Sequence, residues 1–259
     1  MKNIQNLHVT QVRIFPEDTI PYQIFSLPEK VKQFKDRYHF AGEEIPIPLQ
    51  LPGAPKLIIF QMGEVKIEDS STIIDQLQFE GRKMVLEVAA SSNVADMVFL
   101  DIADFVNKMA GNASLSEERT LTKTEETKCT VFLQIDYWEV FSDKTKWFIK
   151  DDLQKAFDRP VFATNPSKLT FEIIFDQDID LFRKHRIHFV PKPLTIEPRE
   201  GIPFDEQTYF TCSPFGSEVH LRLIEAFEKL FEAEIGRKKM KSYTTRVSAL
   251  RKKGGKKKK

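Results

Sequence analysis

The sequence predicts a mixed α+β protein with two strand-rich halves, each closed by an amphipathic helix, followed by a basic C-terminal tail. Short segments in which apolar and polar residues alternate indicate strands, and two longer segments, 93–110 and 218–235, repeat their apolar residues at helical spacing. Residues 237–259 hold 12 of the 39 Lys and Arg and no acidic residue, while the rest of the chain holds all 38 Asp and Glu and the other 27 basic residues. The net charge of +1 therefore conceals an acidic body and a basic tail.

The first half, residues 1–112, places its strand signals before its longest helix. The patterns predict a strand His8–Phe15, a helix from a Ser26 cap to Arg37, strands between Leu57 and Ile67, and a hairpin of Thr72–Phe79 and Lys83–Ala89. Four prolines between residues 46 and 55 predict an extended connector. The helix Asn93–Ala110 is expected to begin at a Ser92 or Asn93 cap and to end at Gly111.

The second half, residues 128–236, follows a polar stretch, 113–127, whose Ser, Thr, Glu and Lys predict a linker or an exposed loop. Alternation predicts strands at Thr130–Tyr137, Leu169–Phe175, Arg186–Val190, Leu194–Glu197 and Gln207–Cys212, a short helix at Lys150–Phe157 and a final helix at Glu218–Ile235. Ser213 and Ser217 are expected to cap that final helix.

The two halves end alike, each with a strand, a serine-containing turn and an amphipathic helix. In a gapless alignment Val98 matches Leu223 and Ile102 matches Phe227. Any two amphipathic helices align this well, so we favour a plain mixed α+β fold over an internal duplication. The apolar helix faces predict that six residues are buried in the core: Val98, Ile102, Phe105, Leu223, Phe227 and Leu230.

The composition indicates which cellular compartment is expected and which kinds of functional site are not. No stretch of 18 apolar residues is present, so no membrane span is expected. Cys129 and Cys212 are the only cysteines and neither belongs to a Cys-x-x-Cys pair, which argues against a structural zinc site or a disulfide scaffold and favours a reducing, cytoplasmic compartment. The glycines form neither a P-loop nor a dinucleotide-binding fingerprint. The sequence therefore predicts no metal site and no cofactor.

The strongest enzyme-like pattern is the pair Glu64 and Lys66. Alternate residues of a strand point to one side, and some metal-dependent nucleases pair Glu-x-Lys with an upstream carboxylate to hold Mg²⁺ and orient water. The candidate upstream carboxylates are Asp36, Glu43 and Glu44. Because Glu-x-Lys recurs at Glu126–Lys128 in this highly charged chain, a solvated charged face is the simpler interpretation. A metal-dependent nuclease or phosphodiesterase is the alternative function, and whether the chain is an enzyme is left open.

His220 is a weaker catalytic candidate. It lies near Cys212, but also three and four residues before Leu223 and Ile224, which places it on or beside the apolar face of the final helix. A packed histidine is therefore favoured over a base or a metal ligand. A cysteine phosphatase would carry Arg six residues after its cysteine, where this chain has Glu218, so a structural cysteine is favoured as well.

The basic tail is the best candidate binding element. Its charged residues before the oligolysine end are Arg237, Lys238, Lys239, Lys241, Arg246, Arg251, Lys252 and Lys253. Since Tyr243 is its only aromatic residue, base stacking is not expected, and the tail predicts sequence-independent binding to the phosphates of DNA or RNA. An anionic membrane surface, the acidic body itself, a protein partner or a solubilising role are the alternatives. The sequence thus predicts a cytoplasmic, non-enzymatic binding or accessory protein.

Overall fold

A computed structural model describes residues 3–44, 57–152, 155, 166–173, 192–203 and 206–231. Its strands are β1 (Asn3–Ile14), β2 (Gly42–Glu44), β3 (Leu57–Ile67), β4 (Ser70–Glu80), β5 (Lys83–Val88), β6 (Thr122–Phe132), β7 (Leu169–Phe171), β8 (Leu194–Pro198) and β9 (Thr208–Ser213). Within the described residues these strands form one sheet in the order β2-β3-β4-β5-β1-β6-β9-β8-β7. Every neighbouring pair is antiparallel. The predicted mixed α+β class is confirmed.

The helices on which the fold depends are α1 (Pro28–Tyr38), α2 (Ser92–Ala110), the short α3 (Asp143–Trp147) and α4, the helical residues 217–231. Helix α2 begins after Ser91, whose hydroxyl accepts a hydrogen bond from the Val94 N–H. It ends at Gly111, whose left-handed φ of 71° carries little steric cost for glycine. Along the described ranges, no helix has both the length and the apolar content that a bilayer crossing requires.

The hydrophobic core lies on one face of the sheet. In the first half, alternate residues of β1, β3, β4 and β5 pack against α1 and α2, and Phe15, which directly follows β1, stacks on Phe99. In the second half, β6, β8 and β9 pack against α4 through residues such as Val131 and Ile224. Val9 and Thr127 pair directly across β1 and β6, so their side chains share one face and the two clusters lie on the same side of the sheet.

The two halves are related by a pseudo-two-fold axis between β1 and β6. From the centre outward, the first half runs β1-β5-β4-β3 and the second runs β6-β9-β8-β7, and α2 and α4 follow the equivalent strands β5 and β9. The register agrees, because Val9 pairs with Val88 and its partner Thr127 pairs with Ser213. This topology favours an internal duplication, whereas the sequence alone favours a plain mixed α+β fold.

Several predicted elements match and others are corrected. The hairpin of β4 and β5 is confirmed, whereas the predicted Ser26 cap is wrong because α1 begins after Leu27 without a side-chain cap. The predicted Ser92 or Asn93 cap is also wrong, since Ser91 holds that position. The loop predicted at 113–127 is shorter, because β6 begins at Thr122 and ends at Phe132, well before Tyr137. The connector at 46–55 and the strand predicted at 186–190 lie outside the described residues.

The predicted burial is correct at two of the six core positions, partly correct at three and wrong at one. Val98 and Ile102 are fully buried, and Phe105, Leu223 and Phe227 are partly buried. Leu230 is 60% exposed, which contradicts its predicted burial. The reason is that the buried stripe of α4 is centred on residues that are mostly polar, which apolar periodicity cannot reveal: Ser217, His220, Ile224 and Glu228. Glu228 is buried because its carboxylate accepts a hydrogen bond from the Gln134 N–H.

Candidate nucleic-acid interface

The sheet face opposite the core, called the open face, is a broad surface that mixes uncharged and charged side chains, and three of its members, Glu126, Thr130 and Thr195, are buried among their neighbours. Cross-strand pairing builds it in rows, in which Val12 lies between Val85 and Thr124. The described helices that contact the sheet pack on its other side. The uncharged members of the open face are mainly Thr, Val and Gln: Thr10, Val12, Gln76, Gln78, Val85, Thr122, Thr124, Thr130, Thr195 and Phe210.

The width of the open face suits a long, regular ligand. Neighbouring strands lie about 4.8 Å apart, so nine strands span roughly 38 Å. One turn of a DNA duplex is about 34–36 Å long, and sheets are known readers of duplex grooves. Aromatic side chains that would stack on unpaired bases are sparse on this face, where the described positions include Phe132 and Phe210. Within the described residues, this face is therefore about as long as one turn of a duplex and poor in aromatic side chains.

A chain of charged groups crosses the centre of the open face. The Lys128 ammonium lies 2.9 Å from a Glu126 oxygen and 3.8 Å from Glu87, and Lys192 also pairs with Glu126. Burial alone would raise the pKa of Glu126, but the hydrogen bonds from Lys192 and Lys128 hold it below its ordinary value. Glu126 therefore stays ionised and fixes both lysines on this face.

The predicted Glu64 and Lys66 pair lies on the open face of β3. Both side chains are exposed, and Glu64 accepts a hydrogen bond from the Ser71 hydroxyl. Asp36 is exposed on α1, which packs on the opposite side of the sheet, while the side chains of Glu43 and Glu44 lie outside the described residues. In the described ranges no three His, Cys, Asp or Glu side chains are grouped to hold a metal. The nuclease alternative therefore rests on the sequence pattern alone and stays a prediction.

His220 lies in a buried polar cluster beneath α4 and away from the open face. Its Nδ1 is 2.7 Å from the Ser213 hydroxyl, and its Nε2 is 2.9 Å from the Thr211 hydroxyl and 3.4 Å from the Cys129 sulfur. Burial lowers the pKa of His220 to about 4 and raises that of the Cys129 thiol, so both groups are neutral near pH 7. The imidazole ties β9 to α4 and is fully buried, which fits the packed histidine favoured from the sequence.

The buried imidazole predicts a specific pH dependence of stability. Unfolded His220 binds a proton near its ordinary pKa of 6.5, whereas the folded protein binds it only near pH 4. Stability is therefore complete above pH 6.5 and falls as the pH drops from 6.5 to 4, by up to about 1.4 kcal/mol per pH unit. Urea unfolding at several pH values should show this loss, and His220→Gln should flatten it. The exposed His39→Gln is the matched control, and an unchanged slope in His220→Gln would refute the assignment.

The first turns of α2 and α4 meet near the pseudo-two-fold axis and cap one another. The Ser92 N–H donates to the Ser217 hydroxyl at 3.0 Å, and the Ser217 N–H donates to the Ser92 hydroxyl at 2.8 Å. The prediction that Ser213 and Ser217 cap their own helix is therefore wrong: Ser217 caps α2, and Ser213 bonds His220. The sequence shows serines at equivalent positions in both halves. The reciprocal hydrogen bonds between them could not be predicted from it, because only the folded sheet brings Ser92 and Ser217 together.

The predicted tail residues, Arg237, Lys238, Lys239, Lys241, Arg246, Arg251, Lys252 and Lys253, lie outside the described residues. No family model matches the chain, and a search of curated proteins finds no significant relative. The functional argument therefore rests on the residues themselves. The open face is the feature that sequence reasoning missed, because its members come from distant segments and meet only through strand pairing.

Proposed function

We propose that this protein is a cytoplasmic, non-enzymatic, nucleic-acid-binding accessory protein whose open face holds a duplex and whose basic tail adds phosphate contacts. The observation that carries the proposal is the open face itself: nine antiparallel strands whose helices and core lie on the other side within the described residues. An antiparallel sheet commonly packs one face on the core and presents the other to solvent, which leaves this face available for contact. Its breadth and its mixture of charged and uncharged side chains suit contact with an extended partner.

The pseudo-two-fold axis supports a duplex as that partner. A duplex has a local two-fold axis perpendicular to its length, and proteins that bind across it commonly share that symmetry. Here the axis passes close to the paired residues Val9 and Thr127, in the middle of the sheet. Equivalent strands of the two halves can then meet equivalent portions of the two nucleic-acid strands.

The tail supplies the charge that the body lacks. The body is acidic overall, so it repels a phosphate backbone, whereas residues 237–259 carry 12 positive charges. Six to ten phosphate contacts make affinity fall by about 10³–10⁵ between 50 and 200 mM salt. The open face contributes groove contacts that change less with salt, and the tail contributes contacts that carry no base preference.

The test measures the affinity of three proteins, each containing the complete body, for a labelled DNA or RNA duplex across that salt range. The first is the whole chain, the second ends at Gly236, and the third keeps the tail length with Gln at the eight basic positions from 237 to 253. We expect the whole chain to bind most tightly with the steepest salt dependence, and the other two to bind weakly with shallow dependence. Equal affinity for all three would remove the tail from function, and a flat salt response would exclude the electrostatic mechanism.

A further inference from the structure

The outer edge of β3 is only partly covered by another strand. Strand β3 runs to Ile67, but β2 pairs with it only at residues 59–61. One more hydrogen bond, from the Ala41 N–H to the Met62 carbonyl, ends this coverage. Among the described residues, no backbone hydrogen bond reaches the outer side of residues 63–67. These residues, called the free edge, can therefore pair with a further strand.

The backbone groups of Glu64 and Lys66 point outward from the free edge. The two-residue turn 68–69 joins β3 to β4, and Ile67 pairs with Ser70 across it. A two-residue hairpin loop is closed by a hydrogen-bonded pair, and such pairs alternate with non-hydrogen-bonded pairs along an antiparallel ladder. The odd-numbered residues of the free edge therefore bond β4, whereas Glu64 and Lys66 direct their N–H and carbonyl groups away from the sheet.

The two outward-facing residues carry opposite charges. Glu64 and Lys66 are both exposed on the open face, and the buried Val65 between them faces the core. One carboxylate oxygen of Glu64 accepts a hydrogen bond from the Ser71 hydroxyl, so the second oxygen can accept another. Within the part of the chain that the structure describes, neither Glu64 nor Lys66 belongs to an ion pair. Both charges are therefore able to meet a partner.

Charge and length select the same way of pairing the free edge with a second copy of itself. In an antiparallel pair of identical strands, a two-fold axis passes between one residue and its copy. An axis at Val65 places Glu64 opposite Lys66 of the second copy, and Lys66 opposite its Glu64. An axis at Glu64 or Lys66 instead places like charges opposite each other, which is destabilising. Val65 is also the midpoint of residues 63–67, so the same register pairs the free edge over its whole length.

We infer that the protein forms a symmetric dimer in which the free edges of two copies pair antiparallel about Val65. Each pair of Glu64 with Lys66 exchanges both backbone hydrogen bonds and brings opposite charges together. The two-fold axis is perpendicular to the sheet, so the open faces of the two copies lie on the same side. Because the free edge is short, the interface is small, and we expect a Kd of about 10–100 μM. The dimer needs no nucleic acid and so goes beyond the proposed function.

Sedimentation equilibrium of the full-length chain, at about 5–500 μM protein and about 150 mM salt without nucleic acid, tests this dimer. Lys66→Glu and Glu64→Lys each place like charges opposite one another, so each alone should raise the Kd at least about tenfold. The double variant Glu64→Lys/Lys66→Glu restores the opposite pairs and should dimerise within about threefold of wild type. An equimolar mixture of the two single variants should form heterodimers, because one copy is then acidic at both positions and the other basic.

The control is Lys108→Glu, which makes the same change in net charge on the exposed side of α2 and should leave the Kd within about twofold of wild type. Thermal unfolding of every variant checks that it is folded. Loss in both single variants with recovery in the double variant supports the inference. A wild type that stays monomeric throughout overturns it and leaves the edge to another partner, and so does a dimer that the β3 variants do not alter or that the double variant does not restore. Because no nucleic acid is present, failure here leaves duplex binding by the open face untouched.

Discussion

Replacing Phe34 with alanine should lower the free energy of unfolding by about 3–5 kcal/mol, the range for deleting a fully buried phenylalanine. Phe34 has no exposed surface and lies on the buried side of α1. Its ring centroid lies between 4.9 and 6.0 Å from those of the surrounding aromatic residues, namely Phe25, Tyr38, Phe40, Phe60 and Phe105. Because these rings belong to α1, β3, α2 and the segments between them, they cannot close together over the cavity that alanine leaves.

Equilibrium urea unfolding measures this effect. The control is Gln33→Ala, which replaces the exposed residue directly before Phe34 in α1 and should leave the free energy of unfolding within about 0.5 kcal/mol of wild type. A loss below about 1 kcal/mol in Phe34→Ala would contradict the assignment of α1 to the core. Most domains have only about 5–15 kcal/mol of total stability, so the expected loss is a large share.

The helices and hairpins were predictable where local signals agree. The β4–β5 hairpin follows from alternation on both sides of Gly81, and α2 follows from a long apolar stripe that stops at Gly111. The predicted start of β6 lies too far along the chain, because the first residues of this strand are Thr, Lys and Glu, which resemble a loop. They form a central strand because Lys123 and Glu125 join a polar network beneath α2, where sheets normally place apolar residues.

The candidate binding elements also differ in how far the sequence reveals them. The tail is visible from charge alone, since a block of like charges needs no fold to be recognised. The open face was not predictable, because Val12, Val85 and Thr124 are distant in sequence and become neighbours only through the register of three strands. Likewise, the buried face of α4 was misread because His220 and Glu228 satisfy their polar groups with partners from other elements.

The network beneath α2 centres on Arg13, which has only 2% of its surface exposed. Its guanidinium donates to Asp96 at 2.7 Å, to Glu117 at 3.1 Å and to the side-chain oxygen Oε1 of Gln11 at 2.6 Å. The same group lies 3.9 Å from the centroid of the Phe99 ring, within the range of a cation–π interaction. All three of its polar partners would lose a donor if the guanidinium were removed.

The network also joins the two halves of the fold. The Gln11 amide donates to Asp96 of α2 and, at 2.8 Å, to Glu125 of β6. Lys123 of β6 reaches the same Asp96 at 2.6 Å. Burial alone would raise the pKa of Asp96, but the hydrogen bonds from Lys123, Arg13 and Gln11 lower it. Arg13 therefore orients Gln11, and Gln11 connects the first half of the sheet to the second.

We expect Arg13→Met to lower the free energy of unfolding by about 3 kcal/mol. Methionine keeps much of the apolar stem but leaves the Gln11 oxygen buried without its donor and removes the contacts to Asp96 and Phe99. The loss stays below the upper limit for a broken buried ion pair, because Asp96 keeps Lys123 and is partly exposed. Urea unfolding measures it, with the exposed Arg119→Met as the matched control, expected within about 0.5 kcal/mol of wild type.

A double variant shows whether this network couples the halves. In Arg13→Met, the additional change Gln11→Leu should cost less than it does in wild type, because a misoriented amide no longer bridges Asp96 and Glu125. Additive losses would mean that the two side chains act independently, and the orienting role of Arg13 would be refuted. Since Gln11 of β1 bonds Glu125 of β6, coupling between Arg13 and Gln11 measures how far Arg13 supports this link between the two halves.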